Sequence, residues 1–296
     1  MVPEGVLLLP APDFKLHNMS TVTISAQDIN KLRQATGAGM MDCRKALTET
    51  NGDFEAAIDW LRKQGQKVAA KRSDREAKEG VVIAQTTADN KTGIVVCVSC
   101  ETDFVSKNAD FISMVQSIAD AAIAGNVKTV EELNDTVVNG AKISDLINDK
   151  LASIGEKIGI TKYERVEAPY VASYIHGAYR IGVLVALDKP AAEVGKDVAM
   201  QIAALNPVAV DAASVPAEVI AREKAIIVDV MKEDPKMAGK PEEMLAKIAE
   251  GKMGAFFKEQ TLTAQAFVKD ASKTVADYLK ESGDVKVKEF RRVALG

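Results

Sequence analysis

An α+β chain with antiparallel sheets is the fold class this sequence predicts, and three observations predict it. Short amphipathic helices open the chain, two apolar hairpins each lead into a helix, and two long helices then meet across a proline-bounded turn. The composition permits such a fold. Of 296 residues, 47% are hydrophobic and 27% charged, enough for two or three packed units.

Residues 1–18 hold the short apolar run Val6-Leu7-Leu8-Leu9, three prolines and no basic stretch, so they do not read as a signal peptide. They are expected to be a disordered leader or an added extension. Residues 19–66 predict three helices. Ser25 with Asp28 three residues on forms a capping-box start, Ile29 and Leu32 supply an apolar face, and Gly37 stops the first helix. The second runs through Ala46 and Leu47 to near Gly52. Asp53 caps the third, which carries Phe54, Ile58 and Leu61 as far as Gly65. Gly37-Ala38-Gly39 lacks the Gly-Lys-Ser/Thr of a phosphate loop and reads as a tight turn. It leaves Met40 and Met41 at a helix start, either packed inward or offered to a partner. In 67–80, charges of both signs recur at i,i+4 spacing, as on a solvated linker helix.

The first core subdomain is expected over 81–156. Ile94-Val95-Val96-Cys97-Val98 is a strand bounded by the turn-like Asp89-Asn90-Lys91-Thr92-Gly93, closing a hairpin over 81–100. Phe111, Val115, Ile118 and Ala122 then recur at helical spacing, and Leu133, Leu146, Ile147 and Leu151 belong to connecting helices over 128–156. The second subdomain, 157–263, repeats this grammar without repeating identities. A hairpin over 170–187 turns around Gly177, and a helix over 191–205 follows it. It includes a helical hairpin over 214–258. Ile220, Ile227 and Met231 lie on one stripe, the helix must stop before Pro235, and Met244, Leu245 and Ile248 begin the second helix. Such narrow stripes suit a projecting antiparallel coiled coil that either needs a mate or closes on itself. Residues 264–296 read as a C-terminal helical module, a terminal appendage made of Phe267 and a short helix over 272–280 with Val275 and Leu279 turned inward.

The run Glu101-Thr102-Asp103-Phe104-Val105 sits where a strand hands over to a helix, in a connection that can present side chains outward. Phe104 beside Asp103 is either a core residue under its own loop or an apolar plug and a charge offered together. Three motifs decide the matter: this run, Thr36-Gly37-Ala38-Gly39-Met40-Met41-Asp42-Cys43-Arg44-Lys45-Ala46-Leu47 before it, and His176-Gly177-Ala178-Tyr179-Arg180-Ile181-Gly182-Val183-Leu184-Val185 after it. From about Met19 to Val293, in this order, the chain closely resembles the bacterial translation elongation factor Ts family, guanine-nucleotide exchange factors of elongation factor Tu.

The resemblance implies a ubiquitin-associated-like fold for 19–66 and binding to elongation factor Tu in its GDP-bound and nucleotide-free forms. It implies that Asp103 and Phe104 dislocate the partner's Mg²⁺ and phosphate site while Thr102 and Val105 hold the loop. His176 with Gly177, and Met40 with Met41, would add partner contacts. The helical hairpin would serve in self-association or partner contact, as a homodimer or a heterotetramer. No cofactor, bound metal or chemical catalysis is implied, and the place of action would be cytoplasmic. Two departures from relatives stand out: Cys97 replaces a residue that is often acidic, and Tyr179 is bulky where small residues are common.

Composition excludes other classes. A formal charge of −4 gives nothing to phosphate counterion release, and 5% aromatics without interleaved basic residues offers no stacking platform for nucleic acid. No apolar run approaches the roughly 20 residues a bilayer span needs. Cys97-Val98-Ser99-Cys100 matches a C-x-x-C pattern and supports a competing reading, a thiol oxidoreductase. Strand residues three apart, however, face opposite ways at roughly 10 Å, beyond the about 7 Å a disulfide spans. A third reading, a helical module for ubiquitin-like or nascent chains, uses 20–65 alone and leaves most of the chain idle.

Overall fold

The computed structural model describes residues 23–71, 74–234, 237 and 239–296, so the expected leader at 1–18 lies outside the described residues. The chain divides into two compact units, Met1–Gln64 and Gly65–Gly296.

In the first unit α1 (Ala26–Thr36) begins with the expected capping box, Ser25 Oγ accepting from the Asp28 amide at 3.1 Å and the Asp28 carboxylate from the Ser25 amide at 3.2 Å. Gly37 ends it in the left-handed region at φ 67°. Leu32 joins Cys43, Ala46 and Leu47 of α2 (Met40–Glu49) and Ala57 and Leu61 of α3 (Phe54–Lys71) in a small core. One expectation fails here: α3 does not stop at Gly65 but continues to Lys71. A helical glycine costs only about 1 kcal/mol, and Gln64, Gln66 and Lys67 around it are good helix formers. The linker is likewise not one helix over 67–80. Residues 74–78 are turn and coil, and the first strand begins at Glu79.

The second unit opens with the hairpin of β1 (Glu79–Thr86) and β2 (Thr92–Cys100), in the register Val81↔Val98 and Thr86↔Gly93. A single turn, α4 (Asp103–Ser106), precedes α5 (Ala109–Ala124), which lays Phe111, Val115 and Ile118 on the outer face of the hairpin against Ile83, Ile94 and Val96. There follow α6 (Val130–Asp135), the short pair β3 (Val137–Val138) and β4 (Ala141–Lys142), and α7 (Ile143–Ile154). Then β5 (Gly159–Glu167) pairs antiparallel with β2, giving the order β1-β2-β5.

The second half follows the same plan. β6 (Tyr170–His176) and β7 (Ile181–Leu187) form a hairpin, and α8 (Ala192–Leu205) covers its outer face with Val198 and Ile202 against Val183, Val185 and Leu187. The helical hairpin is α9 (Ala217–Glu233) with α10 (Glu242–Gln260). After it come β8 (Ala266–Phe267), β9 (Asp270–Thr274) and α11 (Val275–Glu281), and finally β10 (Val287–Ala294), which pairs with β7. The second sheet is thus β10-β7-β6.

Two expectations change. The boundary expected between 156 and 157 separates β5 from the first sheet, which it completes. Residues 264–296 are not an appendage: Phe267, Val275 and Leu279 lie in the second core, and β10 is a strand of its sheet. The helical hairpin closes its inner seam on itself through Met231, Leu245 and Ala249, while Ile226, Val230 and Met244 stay exposed.

The inner faces of the two sheets meet. Val82, Ala84, Val95 and Cys97 from the first pack against Val171, Leu184, Ala186 and Val293 from the second. Gly93, second residue of β2, and Gly182, second residue of β7, admit this contact reciprocally. A Cβ on Gly93 would lie 2.7 Å from Val171 Cγ1, and one on Gly182 would lie 2.7 Å from Val82 Cγ1 and 2.8 Å from Val95 Cγ2. Gly182→Ala should therefore destabilise the protein by about 1–3 kcal/mol through overpacking. Gly251→Ala in α10, where nothing lies within 4 Å, should be neutral or stabilising by up to about 1 kcal/mol. Thermal melting of the two variants side by side checks the contrast. An unchanged midpoint for Gly182→Ala would mean that the sheets can part at no cost.

Candidate functional site

Glu101 to Val105 leaves the end of β2 and winds into α4. Four residues make one turn, too little to be stable alone, so the segment depends on its surroundings. Val105 is its apolar anchor, 9% exposed and part of the first core. Thr102 is its polar anchor. Its amide donates to Glu156 Oε2 at 3.0 Å and its hydroxyl to Glu156 Oε1 at 2.7 Å, while its carbonyl accepts from the Cys100 thiol at 3.2 Å.

Between these anchors Phe104 is 86% exposed, more than any other large apolar side chain among the described residues. It is not the core residue that one sequence reading allowed. Asp103 beside it is hydrogen-bonded to Lys107 Nζ at 2.7 Å across one helical turn. That ammonium holds the Asp103 carboxyl below the usual carboxylate range, so it is ionised at neutral pH. The turn therefore presents an anion and a bare aromatic ring side by side.

A second set of bonds fixes the base of the turn. Glu101 accepts from Arg75 Nη1 at 3.0 Å and from the Lys157 amide at 2.6 Å, and Lys157 Nζ donates to the Arg75 carbonyl at 2.9 Å. The last residues before β1 are clipped in this way to the strand end and to the turn between α7 and β5.

His176 ends β6 and is exposed, with Nδ1 3.0 Å from the Tyr174 hydroxyl. After it Gly177, Ala178 and Tyr179 all have positive φ, at 64°, 52° and 69°. A tyrosine is unusual there, and its surroundings hold it. The Tyr179 carbonyl accepts from the Val82 amide at 2.8 Å, and its ring packs against the first core. Arg180 reaches Glu79 Oε2 at 2.9 Å, and Glu79 is the ladder partner of Cys100. The Thr102–Val105 segment and the His176-Gly177 turn are thus both tied to the start of β1. Met40 and Met41 belong to the first unit, where they stand 53% and 72% exposed at the start of α2.

Lys107 was legible in the sequence as an i,i+4 partner of Asp103, yet it was not singled out. Glu156, 54 residues beyond Thr102, carried no such signal. Among the described residues, no group of three or more His, Cys, Asp or Glu side chains could hold a metal ion, and no helix is long and apolar enough to cross a membrane.

With this geometry in view, comparison with known proteins is specific. The family profile described as "Elongation factor TS" matches residues 101–296. The chain is 48% identical to the elongation factor Ts of Christiangramia forsetii over 277 residues, covering 92% of this chain and 99% of that protein. It is 46% identical to that of Flavobacterium psychrophilum, covering 93% and 99%. Against that of Methylococcus capsulatus it is 43% identical, covering 93% of each.

The cysteines, which support the competing thiol reading, point apart. Cys97 lies in the core between the sheets and Cys100 in the core under α5, so the two sulfurs occupy opposite faces of β2. Both are buried and free. Burial, with Glu156 and Glu79 nearby, pushes the Cys100 thiol up to about 12. The folded protein should therefore lose no pair of thiols to mild oxidant at neutral pH and should react fully with thiol reagents only on unfolding. Because the folded value lies above the ordinary 9.0, the contribution of Cys100 to stability is full below that pH and declines towards about 12. Thiol titration before and after denaturation measures this, and reversible loss of two thiols in the folded state would restore the oxidoreductase reading.

Proposed function

The chain belongs to the elongation factor Ts family, and on that premise we propose that Asp103 and Phe104 are the elements by which it releases GDP from elongation factor Tu. The protein is a guanine-nucleotide exchange factor acting in translation elongation: GDP leaves the partner, and GTP refills the site. The observation that carries the residue assignment is the 86% exposure of Phe104 beside an ionised Asp103 on an anchored turn.

A GTPase holds its nucleotide through a phosphate loop and a Mg²⁺ ion that demands near-octahedral oxygen ligands. Phe104 enters an apolar pocket of the partner, gaining on the order of 2–3 kcal/mol by burial. That insertion brings Asp103 to the network around the ion, which it disturbs by repulsion or by taking a donor. To do so it exchanges Lys107 for a group on the partner. Thr102 and Val105 hold the turn, and His176 with Gly177 adds contact from the neighbouring hairpin. Met40 and Met41 dock the first unit. No bond is made or broken. If the factor binds the nucleotide-free partner more tightly than the GDP form, GDP weakens factor binding by the same ratio.

The same reading gives the exposed Ile226, Val230 and Met244 of the helical hairpin a role in self-association, as a homodimer or within a heterotetramer. It needs no cofactor, no nucleic acid and no membrane, and it places the protein in the cytoplasm.

Stopped-flow release of labelled GDP from elongation factor Tu tests the assignment. Phe104→Ala should lower the apparent second-order rate roughly 30- to 150-fold, the kinetic equivalent of the lost burial, with an almost unchanged melting midpoint. Asp103→Ala should reduce the rate at saturating factor while the half-saturating concentration stays near that of the parent. Met40→Ala with Met41→Ala should do the reverse, because docking contacts bind every state of the partner alike. If the methionine pair set the saturating rate and Asp103 only the affinity, the roles would be inverted.

A further inference from the structure

We propose that Glu156 is a positioning residue for exchange: its two carboxylate oxygens hold Thr102 and thereby aim Asp103 and Phe104. This inference rests on the reading of that turn as the exchange element. The argument begins with what α4 lacks. Thr102 stands at its N-cap position, the place where a threonine hydroxyl ordinarily accepts an amide of the first turn, yet no such bond is made. The hydroxyl is turned away to Glu156 Oε1 at 2.7 Å, and the Thr102 amide goes to Oε2 at 3.0 Å. One carboxylate thus satisfies two donors of the residue immediately before Asp103. Hydrogen bonds to an ionised acceptor are roughly twice as strong as neutral ones.

The backbone that carries this carboxylate is itself held on both sides. Gly155 closes α7 in the left-handed region at φ 79°, its amide donating to Leu151 O at 2.8 Å. On the other side the Lys157 amide donates to Glu101 Oε1 at 2.6 Å. Residues 101–102 and 156–157 therefore clamp each other twice, each pair supplying one carboxylate. With Val105 buried on the far side, Asp103 and Phe104 are suspended between two fixed points. Phe104 has little packing of its own to orient it, so its direction is set by these supports.

Three variants test this: Glu156→Ala, Glu156→Gln and Thr102→Val. A glutamine keeps the shape, accepting the Thr102 amide through its carbonyl and donating its amide to a rotated hydroxyl. Glu156→Ala should lower the saturating rate of labelled GDP release about tenfold or more, since misplacing an acting group by an ångström can cost up to about 100-fold. Its half-saturating concentration should stay within about threefold, the pattern of an interaction needed only at the crossing point. Glu156→Gln should recover most of the rate, and Thr102→Val, which removes one arm of the clamp, should fall between. Amide hydrogen exchange on the free protein should show faster exchange over residues 102–105 in Glu156→Ala, with β2 still protected. If Glu156→Ala fails to fold, Thr102→Val carries both measurements.

Three outcomes would overturn the proposal: a parental saturating rate in Glu156→Ala, equal impairment in Glu156→Gln, or unchanged amide exchange over the turn. Failure of the parent protein to release GDP at all would instead remove the exchange reading, and the amide measurement would still decide whether Glu156 holds the turn.

Discussion

Two three-stranded sheets buried face to face are the contact from which the second unit is built. Each sheet carries a helix on its outer face, so that α5, the two sheets and α8 stack in four layers. The inner contact works because β2 and β7 each place a glycine where the other sheet comes closest. With side chains at Gly93 and Gly182 the layers could not approach, and the valines between them would lose dispersion contacts on one side. A hydrophobic face that finds such a mate is stabilised by about 25 cal/mol for each Å² removed from water, and this contact joins the two halves of the unit.

The Glu101–Val105 turn inherits its rigidity from that framework rather than from any strength of its own. β2 is the central strand of the first sheet, and the turn continues directly from its last residue. β1 is held by the ladder to β2 and by the Tyr179 carbonyl, and it supplies Glu79 for Arg180. Acidic residues appear here mainly as acceptors. Glu101 and Glu156 take up backbone amides and a hydroxyl, and Glu79 takes a guanidinium. Asp103 differs, since its partner Lys107 is exposed and the pair can be exchanged for another at small cost. A turn built in this way has its backbone ordered before any encounter, so little loop entropy is left to lose on binding.

The hairpins and their covering helices were legible in the sequence because their strands are central or buried. Ile94 to Val98 and Ile181 to Leu187 are runs of apolar, mostly β-branched residues with no charge to disguise them. β5 and β10 escaped for the opposite reason. They are edge strands whose residues, such as Lys162, Glu164, Lys288 and Arg291, alternate with apolar ones and face water or each other, as in the Arg291–Glu164 pair. Their partners also lie far away in the chain, which no local pattern reports. For the site the division is similar. The TDFV run was readable as a strand-to-helix connection, whereas the choice between a buried and an exposed Phe104 depended on Val105 taking the inward place. Glu156 belongs to a turn whose only local mark is the glycine before it.

The long reach of β5 and β10 bears on how the chain can be divided. The match to the family profile begins at residue 101, immediately after β2 ends, although the relatives align over more than nine-tenths of the chain. Yet β5, inside the matched stretch, has β2 as its sheet partner, and the inner face of the second sheet is covered by Val82, Ala84, Val95 and Cys97 from before it. A segment cut at 101 would hold the Glu101–Val105 turn, the whole second sheet and α5, but it would leave two apolar faces open to water. Residue 101 is therefore where the profile match starts and not a border of autonomy. The cooperative unit must extend back at least to Glu79, and the two similar halves are one body that neither could form alone.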